Sequence, residues 1–298
     1  MAEPPVMAPT TEGAKEIRPQ GWTSAHLTVI EPRRGLAGLG LTELWAYREL
    51  LFFFIWRDLK VRYRQTVFGV LWAVIQPLAL MLVFTAFLGR VPGLGEEGVP
   101  YPLFALAGLI PWTFFAQGIS GSATSLVDAS NLVQKVYFPR LLLPLAAIGS
   151  HILDFVIALA LLVIVLVSFG FPPSGRAVWI IPLTGLAIGS SAAFGIFLAG
   201  LNVKYRDVRH AMPFLIQLWL FASPIAYAAG MVPSQWLGLY YLNPIAGLVE
   251  GFRWAIFAND TSPIPLGPIA ASTIITAVVL IASLAYFRVA EQTFADVI

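Results

Sequence analysis

The sequence predicts an all-α integral membrane protein with six transmembrane helices, an N-terminal amphipathic interfacial helix, and two short re-entrant outer helices between spans five and six. Hydrophobic residues make up 58% of the 298 residues and charged residues only 11%, whereas a soluble domain usually carries about 25% charged residues. The apolar residues also fall in nearly uncharged stretches, most of them long enough to cross the ~30 Å hydrocarbon core of a bilayer.

The N-terminal region divides into a tail and a helix. Residues 1–40 are rich in Pro, Glu, Thr and Gly and predict a disordered cytoplasmic tail. Residues 41–66 predict a helix in the plane of the lipid headgroups, because large apolar side chains share one face and basic side chains another. The apolar face carries Phe52, Ile55, Trp56, Leu59 and Tyr63, and the basic face carries Arg57, Lys60 and Arg64. Within this helix, Asp58 is expected to pair with Arg62 one turn on.

Residues 67–298 predict the six-span transmembrane domain. The spans are expected at 67–89, 103–127, 141–167, 177–201, 211–228 and 268–287. Pro224 interrupts the short fifth span, and the polar segment 128–140 predicts a short amphipathic helix between the second and third spans. Small residues on the fourth span are expected to let other helices approach it closely. They are Gly185, Gly189, Gly195 and Gly200.

The positions of the basic residues predict that both termini are cytoplasmic. Cytoplasmic loops of membrane proteins carry an excess of lysine and arginine. With the N-terminus inside, the basic residues close to the spans on the cytoplasmic side include Arg57, Lys60, Arg62, Arg64, Lys135, Arg140, Lys204, Arg206, Arg209 and Arg288. Those outside are only Arg90, Arg176 and Arg253.

Residues 233–258 predict the pair of outer gate helices. The apolar stretches 236–242 and 245–257 are each too short to cross the membrane, and Asn243-Pro244 between them stops one helix and starts the next. We expect two half-length helices that dip back from the outer surface, in which Glu250 and Arg253 could pair. The candidate gate residues are Trp236, Tyr240, Asn243, Pro244, Glu250 and Arg253. A hairpin lying flat on the outer leaflet is the alternative.

Asp154 is the acidic side chain deepest inside a predicted span, and His151 lies three residues earlier on the same helical face. Ionisable groups inside a membrane are functional candidates, here for a proton relay. The alternative is structural: a buried carboxylate that His151 or a hydroxyl of a neighbouring helix satisfies.

Several kinds of site are not expected on this chain. It contains no cysteine, and we expect no metal site. No lysine follows a glycine, so the phosphate-binding Gly-Lys-Ser/Thr loop is missing. If the protein uses ATP, another subunit must bind it. The small net charge of +2 gives no reason to expect a nucleic-acid partner.

Six segments of the chain form a distinctive series. They are ELWAYRELLFFFIWRDLKVRYRQTVFGVLWAVIQP (43–77), SNLVQKVYFPRLLLP (130–144), NVKYRDVRH (202–210), ASPIAY (222–227), LNPIAGLVEGFR (242–253) and FRVAEQTFADVI at the end. In this order, and with this topology, they resemble the membrane permease of ABC-2-type exporters for surface polysaccharides, namely O-antigen, capsule and teichoic acid.

The resemblance implies a homodimer of six-span subunits in the bacterial cytoplasmic (inner) membrane, working with two copies of a separate cytoplasmic ABC ATPase. The implied substrate is a glycan or polyol-phosphate polymer on an undecaprenyl-diphosphate-type lipid, which moves between the two permease subunits. No cofactor is expected on this chain, because ATP and Mg would bind to the ATPase. The permease itself would not be an enzyme.

The same resemblance assigns roles to particular residues. Contact with the ATPase is implied for Asn131, Leu132, Val133, Gln134, Lys135 and Val136, and secondarily for Lys204, Arg206 and Arg209. The basic residues that would suit the diphosphate, or simply anchor the helix among headgroups, are Arg57, Lys60, Arg62 and Arg64. Aromatic side chains in the spans either line the path or pack between helices. They are Trp72, Phe84, Trp112, Phe115, Trp219 and Tyr227.

Two other readings of the sequence stay open. An ABC-2 permease for a drug or a small lipid would share this fold. A membrane enzyme or a proton-coupled transporter would centre on His151 and Asp154. Replacing Asp154 by asparagine separates these functions, because the enzyme and the proton carrier would lose activity while remaining folded.

Overall fold

The computed structural model describes residues 41–64, 69–96, 98–257 and 262–294. The predicted tail, 1–40, lies outside the described residues. The described part of the chain forms α-helices and short 3-10 helices and contains no strand, which confirms the all-α fold class. Its α-helices are α1 (Leu41–Ala46), α2 (Arg48–Arg64), α3 (Trp72–Leu88), α4 (Tyr101–Asp128), α5 (Ser130–Lys135), α6 (Leu142–Ser150), α7 (Ile152–Ser168), α8 (Ile180–Lys204), α9 (Val208–Phe221), α10 (Leu237–Tyr240), α11 (Pro244–Phe257) and α12 (Leu266–Glu291).

Five helical segments in the described ranges are long and apolar enough to cross a membrane. They are Gly69–Leu88, Tyr101–Asp128, Leu142–Ser168, Gly175–Lys204 and Leu266–Glu291. The predicted fifth span is different. Its helix, α9, has 14 residues, which at 1.5 Å per residue extends about 21 Å. The chain leaves the helix after Phe221 and forms turns around Pro224. The count of six spans therefore stays a prediction.

Helix α4 is the centre of the bundle. It buries 17 of its 28 residues, whereas α3 buries only Pro77 and Met81. Because lipid is as apolar as a leucine side chain, close packing and hydrogen bonds hold membrane helices together. Ser190 and Thr276 join α8 to α12 through their hydroxyls at 2.8 Å, and the Asn202 amide donates to the Ala123 carbonyl of α4 at 2.8 Å.

The predicted glycine contacts on the fourth span are only partly correct. A Cβ atom at Gly195 would lie 2.7 Å from Ser122 Oγ, and one at Gly200 would lie 3.2 Å from the Tyr286 ring. These two glycines do let α4 and α12 approach α8. At Gly189 the nearest contact is an ordinary 3.4 Å, and at Gly185 no described atom beyond the backbone of its own helix lies within 4 Å. The packing role was therefore wrong for Gly185.

Candidate functional site

The third span breaks at His151, between α6 and α7. The break follows Gly149-Ser150, and Gly/Ser pairs are a usual cause of sharp helix kinks. Arg62, near the end of α2, reaches into the break. Its Nη2 donates to Ser150 Oγ at 2.9 Å and its Nη1 to the Ser150 carbonyl at 3.4 Å. Helix α2 is thus joined to the break by a cation.

The carboxylate of Asp154 completes this cluster. Arg62 Nη1 donates to Asp154 Oδ2 at 2.7 Å, and the Tyr63 hydroxyl donates to Oδ1. His151 lies beside the pair, with Nδ1 3.5 Å from Asp154 Oδ2 and 3.0 Å from Arg62 Nη1. We call Arg62, Tyr63, Ser150, His151 and Asp154 the break cluster. It has the geometry of a satisfied ion pair.

The sequence did not predict the partner of Asp154. Asp58 was expected to pair with Arg62, but Asp58 pairs with its neighbour Arg57 at 2.9 Å. Arg62 is 92 residues from Asp154 in the sequence, so no local spacing could indicate the contact. The sequence feature that indicates such a partner is a single acidic side chain inside a span, because its charge needs a cation from another segment of the chain.

Of the four basic residues that would suit a lipid diphosphate, two already contact other side chains of the protein and two do not form an ion pair with a described residue. Arg62 belongs to the break cluster, and Arg57 lies over the Phe54 ring at 4.9 Å besides its pair with Asp58. Among the residues that the structure describes, Lys60 and Arg64 form no ion pair. Lys60 is exposed, so these two are the cations of α2 most available to an anionic group.

The aromatic residues that could line a transport path differ in how deeply they are buried. Phe115 is fully buried and Trp112 is 5% exposed. Phe115 packs edge-on against Trp219 with ring centroids 5.0 Å apart. A path outside the subunit would be lined by exposed side chains, so Phe115 and Trp112 have packing roles in this conformation. Trp72 is exposed, and Phe84 and Tyr227 are half-buried.

Asn243 organises the segment of short outer helices. A 3-10 turn at Ser234–Trp236 leads into α10, and α11 begins at Pro244, the first position of a helix, which proline favours. Asn243 Oδ1 accepts from the Ile245 backbone N–H at 3.1 Å and from Trp219 Nε1 at 2.9 Å. The same side chain therefore caps α11 and ties it to α9. That α10 and α11 are re-entrant stays a prediction.

Arg253 and Glu250 of α11 have different partners. Arg253 is 5% exposed; it donates to the carbonyls of Ile225 at 2.8 Å and Phe104 at 3.3 Å. Glu250 accepts from the Tyr241 hydroxyl at 3.1 Å. Burial raises the pKa of Glu250, and burial together with the nearby Glu250 raises the pKa of Tyr241 to about 12. Arg253 thus acts as a clamp between α11, α4 and the turn after α9.

Replacing Gly108 by alanine is expected to disturb this clamp. A Cβ atom there would lie 2.7 Å from Arg253 Nη2. The guanidinium must move, which weakens its two hydrogen bonds, and overpacking of this kind costs about 1–3 kcal/mol. Thermal unfolding in detergent measures the loss. Gly238→Ala is the control because its added Cβ would have no neighbour within 4 Å in the part of the chain that the structure describes, the backbone of its own helix aside. Equal melting temperatures for the two variants would contradict the clamp.

The two segments assigned to ATPase contact lie at one end of the bundle. Helix α5 buries only Val133, and Asn131, Gln134 and Lys135 are exposed. Arg209, in the first turn of α9, pairs with Asp128 at the end of α4 at 3.4 Å. Lys204, the last residue of α8, and Arg206, in the turn between α8 and α9, are also exposed. Together they form a polar surface that a soluble partner can reach.

The helices define a multi-pass α-helical membrane protein with an amphipathic helix docked on its bundle. The chain belongs to the ABC-2 type transporter family, whose pattern matches residues 49–257. Over 257 residues it is 30% identical to the O-antigen export system permease protein RfbA of Myxococcus xanthus, with 85% of this chain and 97% of the relative covered.

Two further relatives have related names. An O-antigen export system permease protein RfbA of Klebsiella pneumoniae is 32% identical over 209 residues, which cover 69% of this chain and 78% of the relative. The polysialic acid transport protein KpsM of Escherichia coli is 25% identical over 242 residues, with 79% and 91% covered.

Proposed function

We propose that this chain is the permease subunit of an ATP-driven exporter that moves a surface polysaccharide across the cytoplasmic membrane. The similarity to the Myxococcus xanthus O-antigen permease carries the proposal, because it extends over 97% of that relative. The polymer would be attached to an undecaprenyl-diphosphate-type lipid. Lys60 and Arg64 of α2 are the residues best suited to its diphosphate, since no ion pair with another described residue occupies them.

The working unit would be a homodimer with two copies of a cytoplasmic ABC ATPase that supply ATP and Mg. In this proposal the chain spans the membrane six times with both termini in the cytoplasm. The two short outer helices close the path. The excess of basic residues around α2, α5 and the loop after α8 supports this orientation. Helix α5 would be the main contact with the ATPase, and the connection from the end of α8 to the start of α9, with Lys204, Arg206 and Arg209, a second one.

Replacing residues 131–136 by a glycine-serine sequence is expected to abolish assembly with the ATPase, because it removes α5 and its exposed polar side chains. The measurement is co-purification in mild detergent with the ABC ATPase encoded next to the permease, followed by ATP hydrolysis in nanodiscs. We expect a two-plus-two complex for the unmodified chain and none for the variant.

Leu239→Ser is the matched control. Leu239 is exposed on α10, away from the proposed contact, so this variant should still assemble. A permease that purifies alone and still transports a substrate would overturn the proposal.

The break cluster makes an enzyme or a proton carrier a weaker proposal. A proton carrier needs a carboxylate that is free to exchange a proton, whereas Asp154 accepts hydrogen bonds from both Arg62 and Tyr63 and is held in a structural ion pair. An ABC-2 permease for a drug or small lipid would have the same fold, and the names of the relatives favour the polysaccharide.

A further inference from the structure

A cavity of about 450 Å³ lies beside the break cluster, where α2, α3, α4 and α7 meet. Its volume is within the ~300–1,000 Å³ of small-molecule sites. Trp72 and Gln76 line it from α3 and are themselves exposed. The cavity therefore opens at the surface of the helix bundle, next to the helix expected among the headgroups.

Part of the cavity wall suits a cation. The Asp154 side chain is 16% exposed, so its carboxylate is not fully covered by Arg62. Tyr63, Phe114 and Phe155 line the same cavity. A carboxylate together with aromatic faces is the chemistry that binds ammonium groups.

The adjacent part of the wall suits an anion. The Arg62 side chain is 32% exposed, and its contacts with Ser150, His151 and Asp154 all involve Nη1 and Nη2. Its Nε–H forms no hydrogen bond with another described residue and is the donor that remains for a phosphate oxygen. Thr113 and Gln117 add neutral polar groups from α4.

The two charged parts of the wall favour a zwitterion. Asp154 repels an isolated anion and Arg62 repels an isolated cation, whereas an occupant with both charges close together can contact each of them favourably. The rest of the wall is apolar and comes from Ala73, Pro77, Ile110 and Ala158. An apolar wall beside a charged one suits a molecule with a charged head and a hydrocarbon chain.

We propose that this cavity binds a glycerophospholipid with a zwitterionic, phosphoammonium headgroup. The phosphate contacts Arg62, the ammonium group contacts Asp154 and the aromatic rings, and an acyl chain follows the apolar wall. The bound lipid then joins the interfacial helix α2 to α3 and α7. This site is separate from the proposed transport of a polymer and does not depend on it.

The test is lipid retention by the purified permease without its ATPase. The protein is equilibrated in nanodiscs of equal parts phosphatidylethanolamine and phosphatidylglycerol, transferred to detergent, and analysed by native mass spectrometry. We expect phosphatidylethanolamine to be retained in preference, at one per chain. The double variant Arg62→Gln, Asp154→Asn keeps hydrogen-bonding groups without charge, and we expect it to lower the affinity about tenfold or more.

Ala73→Leu is a second variant that fills the cavity and leaves the break cluster intact, and it should also lose the lipid. Arg48→Gln is the control, since Arg48 is an exposed basic residue of the same helix that does not line the cavity. Retention of both lipids in their bulk ratio by the unmodified chain, or equal retention by Ala73→Leu, would overturn the proposal. Preferential retention of phosphatidylglycerol would show an anion site instead and would equally overturn it.

Discussion

Alanine in place of Asp154 is expected to destabilise the fold by about 3 kcal/mol, the lower end of the range for breaking a buried ion pair. The lower end applies because a third of the Arg62 side chain is exposed. The variant leaves Arg62 and the Tyr63 hydroxyl without their shared acceptor at the break in the third span. Thermal unfolding in detergent should show a melting temperature lower by roughly 5 °C or more.

Asp58→Ala is the matched control, because Asp58 also pairs with an arginine of α2 but in a more exposed position. Exposed pairs contribute about 0–1 kcal/mol, so this variant should unfold close to the unmodified protein. If the two alanine variants unfold at the same temperature, Asp154 has no structural role. Loss of transport by a fully stable Asp154→Asn variant would then restore the proton-carrier hypothesis.

Alanine in place of Gly247 is expected to cost about 3 kcal/mol or more, at or beyond the upper end of overpacking effects. Its Cβ atom would lie 2.0 Å from the Pro268 carbonyl oxygen and 2.6 Å from Ser272 Oγ. The carbonyl is backbone and cannot rotate away, so α11 and α12 must separate. The shift also weakens the bond from the Gly247 N–H to Ser272 Oγ, which is 3.1 Å long.

Thermal unfolding measures this effect, and Gly185→Ala is the control. Gly185 is also in a helix, but apart from that helix's own backbone none of the described atoms lies within 4 Å of its added Cβ. Alanine there should be neutral or stabilising by about 0.4–1 kcal/mol, because it reduces the entropy of the unfolded chain. Similar melting temperatures for the two variants would contradict the close contact of α11 with α12.

The comparison of these two glycines shows what the sequence could predict. A long apolar stretch indicates a helix in lipid, since every backbone group must be satisfied within the membrane. For this reason the all-α fold was predictable. Which glycine lies against a neighbouring helix depends on tertiary packing, and neither the composition nor the spacing distinguishes Gly185 from Gly247. The same reason explains why the sequence could not decide between lining a path and packing for Phe115, which lies in the core.

The site was predictable in its parts but not in its connections. The lone acid Asp154 and its neighbour His151 could be identified because charge inside a span is rare. Arg62 was assigned to a different partner, since helical spacing reveals only contacts within one helix. Asn243 was expected to separate two helices, but its bond to Trp219 of α9 joins segments that are 24 residues apart.

The break at His151 has an electrostatic consequence. Helix α6 ends there with the partial negative charge of its carbonyl groups, and α7 begins with the partial positive charge of its N–H groups. Arg62 contacts the end of α6 at the Ser150 carbonyl, and Asp154 lies in the first turn of α7. The positive charge of Arg62 therefore lies at the negative end of α6, and the negative charge of Asp154 lies at the positive end of α7. If the two charges were exchanged, both would be unfavourable at the helix ends they face.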